Sequence, residues 1–126
     1  MIVASITGAT LVLAVAGWYF GSPVIAWIFG ASFTSPPTFV VGCIVAAGLI
    51  GVVTVTGGAL LATGRHGGQL AGWSIAAVVS IVVLVLPLDD LYVRVVSALL
   101  IGPAVGLCVH LVSLRRPFGR QAAAQP

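Results

Sequence analysis

The side chains of this 126-residue chain that are equipped for acid–base, redox or metal chemistry are few: two aspartates, two histidines, two cysteines and five arginines, with no Glu and no Lys. Both acids are adjacent, Asp89 and Asp90 in "PLDDLYVR". Carboxylates held inside a membrane are what a proton-coupled exporter works with. His66 and His110 could in principle form an axial pair for haem, and Cys43 and Cys108 a disulfide. Which of these chemistries is open depends on where the surrounding elements put the residues.

The elements follow from the solvent. Hydrophobic residues make up 60% of the chain and charged ones 6%, against about 25% charged in an ordinary soluble domain. A chain with so little polar surface needs lipid around it, and in lipid the backbone must satisfy its own hydrogen bonds, as a helix or a closed barrel. Four stretches reach the roughly 20 apolar residues of a helical span: about Ile2 to Phe20, Thr38 to Ala62, Leu70 to Leu88 and Leu91 to Ser113. Runs such as "SIAAVVSIVVLVL" do not alternate as barrel strands would. The fold expected is an all-α integral membrane protein of four transmembrane helices, a single domain over residues 1–114 with a short basic and polar tail over 115–126.

The arginines orient it. Arg65 sits in the "TGRHGGQ" loop between helices two and three, and Arg115, Arg116 and Arg120 follow helix four. Positive residues favour the cytoplasmic side, so that loop and both termini are expected there. The same arginines, with His110, are candidate topology signals and anchors for anionic headgroups. Trp18, Tyr19 and Tyr92 then fall near the outer interface and Trp73 near the inner one, where amphipathic rings prefer to sit.

With this layout "PLDD" is the outer turn between helices three and four. Pro87 ends one helix, and an Asp caps the next at the positive end of its dipole. Arg94 lies four residues beyond Asp90 on the same helical face, which makes Asp89, Asp90 and Arg94 a turn-and-cap group. A small exporter would need its acid in mid-membrane, and no predicted span carries one. Cys43 and Cys108 fall near opposite ends of their spans, roughly 15 to 20 Å apart in depth, too far for the approach within about 7 Å that a disulfide requires. His66, flanked by glycines in a loop, is a poor rigid mount for a metal. No cofactor or metal site is expected.

Glycine is abundant, 16 residues, with pairs four apart at Gly17/Gly21, Gly68/Gly72 and Gly102/Gly106. Small residues at this spacing let helices approach closely in lipid. The pair around Pro103, in "IGPAVG", is expected to combine a kink with a docking face for a partner helix, with Gly17 and Gly21 as a second such face. Between helices one and two, "PVIAWIFGASF" is apolar but too short to span. It is expected to lie along the outer interface, to re-enter between helices, or to extend a tilted first helix. "AVAG" in helix one resembles a signal cleavage site, but no basic region precedes it, so this helix is expected to be retained.

Phosphate loops, nucleophile–base pairs and aromatic-basic nucleic-acid surfaces are all missing from the sequence. Two function classes remain open. One is a noncatalytic accessory or stabilising subunit of a larger bacterial membrane complex, docked through small-residue helix faces and bathed in membrane lipids. The other is an autonomous small transporter or lipid-handling protein working as a homo-oligomer. The Arg-only basic set and the richness in Ala, Val and Gly suggest a GC-rich actinobacterial source, whose cytoplasmic membrane would be the location. Lipid-transport and respiratory assemblies of such cells are the hosts that this reading suggests first.

Overall fold

A computed structural model describes residues 1–115 of the chain. It contains four helices: α1 (Ile2–Phe29), α2 (Pro37–Ala62), α3 (His66–Val85) and α4 (Leu91–Arg115). All four are long and apolar enough to cross a membrane, so the chain is a multi-pass membrane protein. Arg116, Arg120 and the remainder of the expected tail lie outside the described residues.

The helix ends have local causes. Pro36 precedes α2 in an extended conformation and Pro37 occupies its first turn, where a missing N–H costs nothing. α2 closes with a Schellman motif around Gly64, whose φ of 71° is the left-handed conformation this motif needs. The Arg65 N–H donates to the Leu60 carbonyl at 2.8 Å and the Gly64 N–H to the Leu61 carbonyl at 3.0 Å. α3 then starts at once, four residues earlier than its hydropathy suggests, and His66 is its first residue, not part of a loose loop. It ends at Val85, because Leu86 is driven into an extended conformation by Pro87.

α1 is longer than expected. Residues 23–29 continue the same helix through Pro23, so of the three arrangements open to this apolar segment the structure takes the extended helix. At 28 residues it is about 42 Å long, against about 30 Å of bilayer hydrocarbon. Gly30, with φ of 100°, stops it. Ser22 Oγ then ties its last turns to the Ser35 carbonyl at 2.6 Å, just ahead of α2.

Packing divides the molecule. α2, α3 and α4 pack on one another, whereas α1 packs on α2 and on neither α3 nor α4. The core accordingly lies around α2 and α4, where Val53, Leu60, Ala98 and His110 are buried. Gly102, Pro103 and Gly106 are buried in it too. A Cβ on Gly106 would come within 2.9 Å of both Ala76 Cβ and the Gly72 carbonyl, and one on Gly102 within 2.7 Å of the Ala76 carbonyl. The face expected to receive a partner helix is therefore filled by α3 of the same chain. Gly17 and Gly21 are likewise filled by Ile44 and Val40 of α2. Both corrections have one physical reason: small residues mark where backbones approach, and an antiparallel neighbour in the same chain satisfies that as well as a foreign helix.

Candidate functional site

At the start of α4, Asp90 Oδ1 accepts the N–H groups of Tyr92 at 2.7 Å and Val93 at 3.2 Å. Its carboxylate is thereby aimed down onto the first turn of α4, and among the described residues it forms no ion pair with Arg94. The group expected as Asp89, Asp90 and Arg94 thus contains a cap but no salt bridge. A residue at the N-cap is not yet helical, so its side chain does not lie along the face that Arg94 shares. Phe39 of α2 meets Tyr92 edge-on with ring centroids 5.0 Å apart, which seals this end between α2 and α4. An open cleft of about 290 Å³ lies beside the pair, lined by Pro36, Thr38, Asp90, Val96 and Ser97 among others.

The opposite end holds the polar chemistry of the interior. His110 of α4 is fully buried, 0% exposed, and meets both α2 and α3. Its Nδ1 is 3.1 Å from Thr56 Oγ1 of α2, and its Nε2 is 3.3 Å from the Gln69 carbonyl of α3. Glycines make the room. A Cβ on Gly72 would overlap the imidazole, and one on Gly57 would lie 3.3 Å from its Cε1. The same Cβ on Gly57 would lie 3.5 Å from both the Gln69 Cγ and the Trp73 indole nitrogen. The Thr56 hydroxyl lies 3.0 Å from both the Val52 and Val53 carbonyls, the usual back-bond of a helical threonine.

One turn further on, Arg65 reaches across from the α2–α3 turn. Its Nη1 donates to the Ser113 and Leu114 carbonyls in the last turn of α4, the second at 3.0 Å. These carbonyls have no partner within their helix, and a guanidinium there also complements the negative end of the helix dipole. Arg65, expected as a headgroup anchor, is in fact buried and occupied with closing α4. Of the other expected anchors, Arg115 is exposed at the helix end.

Both His110 nitrogens are engaged within the protein, and His66 is exposed at the start of α3. Among the described residues no group of three or more His, Cys, Asp or Glu could hold a metal ion. Cys43 and Cys108 are both free thiols. What the site does is bond α2, α3 and α4 to each other through one ring. Sequence reasoning put His110 at the inner surface and did not pair it with Thr56. The available signal was a lone imidazole in an apolar helix near glycine pairs on other helices, and it carries no information on which hydroxyl the ring meets.

At the α3–α4 contact, Ser80 Oγ donates to the Ala98 carbonyl at 3.0 Å. Pro103 takes away the N–H that would serve the Leu99 carbonyl, one residue beyond the carbonyl that Ser80 reaches. Every buried side-chain nitrogen and oxygen among the described residues has a partner.

No family model matches the chain, and no solved structure matches it significantly. It is similar to mycobacterial proteins that are far longer. Uncharacterized protein Rv1510 of Mycobacterium tuberculosis strain H37Rv is 39% identical over 90 residues, which is 71% of this chain and 21% of that protein. Uncharacterized protein Rv3630 of the same strain is 42% identical over 88 residues, covering 70% and 20%. Uncharacterized protein Mb3654 of Mycobacterium bovis matches equally, 42% over 88 residues. The chain spans about a fifth of the length of these relatives.

Proposed function

We propose that this chain is a noncatalytic, stabilising part of a larger bacterial membrane assembly, seated in the cytoplasmic membrane with both termini and the Arg65 turn on the inner side. The observation that carries this reading is the one-sided attachment of α1. This helix packs on α2 alone and turns outward a broad apolar and aromatic face, with Tyr19, Phe20 and Phe29 exposed and Trp27 86% exposed. The small-residue faces that would otherwise receive a partner are used up inside the bundle, so a partner is met by α1. The relatives support this picture: in them a segment like this one is about a fifth of a longer polypeptide. Lipid-transport and respiratory assemblies are the hosts to look for first.

The test is purification through a C-terminal tag in mild detergent, with mass spectrometry and a size for the intact particle. Stoichiometric recovery with a larger membrane protein is the expected result. Recovery alone as a discrete homo-oligomer would overturn it and favour an autonomous transporter or lipid-handling protein, to be examined by flux into liposomes.

A further inference from the structure

The open cleft between the starts of α2 and α4 gathers polar groups that the protein itself does not use. Most helical hydroxyls of the chain are satisfied internally: Thr7, Thr10 and Thr54 bond back to carbonyls one turn earlier, and Ser22 and Ser80 bridge to other segments. Thr38 of α2 and Ser97 of α4 line the cleft, and neither hydroxyl has a partner among the described residues. The second oxygen of Asp90 is in the same position, since Oδ1 alone holds the cap. Val93 on the α4 wall is exposed, so the cleft is open to surrounding lipid. Its volume, about 290 Å³, is near the lower limit of small-molecule sites, about 300 Å³, which suits a headgroup rather than a whole lipid.

Arg94 is the fourth residue of α4, about 5 Å into the helix. Nothing inside the protein accounts for a cation there. It forms no ion pair among the described residues, and the first turn is the end at which the helix dipole disfavours positive charge. Half-buried at the start of a span, it calls for an anion from outside, and a guanidinium matches phosphate with its forked donors. Asp90 calls for the opposite charge, and Asp89 beside it leaves this end with two acids against one arginine. A lone phosphate suits Arg94 and is repelled by the acids; a lone ammonium does the reverse. A headgroup that tethers an ammonium to a phosphate satisfies both.

We propose that this cleft binds the headgroup of a zwitterionic phospholipid, phosphatidylethanolamine being the simplest. The ammonium donates to the free oxygen of Asp90 and to the Thr38 and Ser97 hydroxyls, all of which accept. The phosphate pairs with Arg94, and the acyl chains run down the lipid-facing wall along Val93.

The experiment is native mass spectrometry of the purified full chain in mild detergent, titrated with phosphatidylethanolamine or with phosphatidylglycerol of the same acyl chains. The expected result is one saturable phosphatidylethanolamine per chain, held about tenfold more tightly than phosphatidylglycerol, as one charge-assisted contact implies. Asp90→Asn keeps a good cap and removes the charge. It and Arg94→Gln should each weaken the adduct by about tenfold, whereas Arg115→Gln at the far end should change nothing. Equal binding of the two lipids, a preference for phosphatidylglycerol, or displacement by inorganic phosphate overturns the proposal. So does a loss confined to Arg94→Gln, which would mark a bare phosphate site. Should either variant fail to fold, the wild-type comparison of the two lipids still decides. In membranes, a photoreactive group placed at Ser97 should label lipid; labelling of a polypeptide instead assigns the cleft to a protein partner and overturns the lipid site.

Discussion

Gly72 and Thr56 each set the His110 junction in a different way. A methyl on Gly72 would occupy the space of the imidazole, and backbone on one side and a fully buried ring on the other leave little room to yield. Gly72→Ala should therefore cost about 1 to 3 kcal/mol, the range for overpacked cores, read as a lower detergent-unfolding midpoint. Thr56→Val keeps the shape and removes the hydroxyl, and should cost about 0.6 to 2 kcal/mol, as interhelical bonds in membranes do. A Gly8→Ala change serves as the control, since a Cβ there meets nothing within 4 Å, and stability should not fall. At this scale the sequence was only partly readable. The Asp90 cap was legible because a cap is local, set by residues two and three positions on. The His110–Thr56 bond joins residues 54 apart in the chain, and neither residue type singles out the other.

At the scale of elements, hydropathy located all four helices and local chemistry set their ends. Where the two disagreed, capping prevailed: "LATGRHGG" reads as a loop by polarity, yet Gly64 compresses the turn so tightly that His66 is already helical. α1 departed in the other direction, since the helix runs on through Pro23 to Phe29, beyond the span to Phe20 expected from hydropathy. Asp90→Ala should weaken the start of α4 by about 1 kcal/mol, visible as faster amide exchange at Tyr92 and Val93. Gly106→Leu should separate α3 from α4, since the new side chain meets the backbone of Gly72 and the Cβ of Ala76. Cross-linking between cysteines placed on those two helices should fall sharply. Gly106 was expected from sequence to lie on a face for a partner helix, and it is the pairing of α3 with α4 that turns its effect inward.

For the whole molecule, the division into a three-helix core and an attached α1 has a consequence for how the chain is made. α1 is made before α2, yet among the described residues the surface on which it packs belongs to α2. It must wait in the bilayer with its glycines uncovered until α2 arrives, whereas α2, α3 and α4 close around one another once α4 is synthesised. Gly21→Leu, which would collide with Val40, should thus leave α2, α3 and α4 assembled and detach α1 alone, seen as protease sensitivity confined to the α1–α2 connection. During that interval α1 is open to capture by whatever lies beside it in the bilayer, before its own bundle has closed.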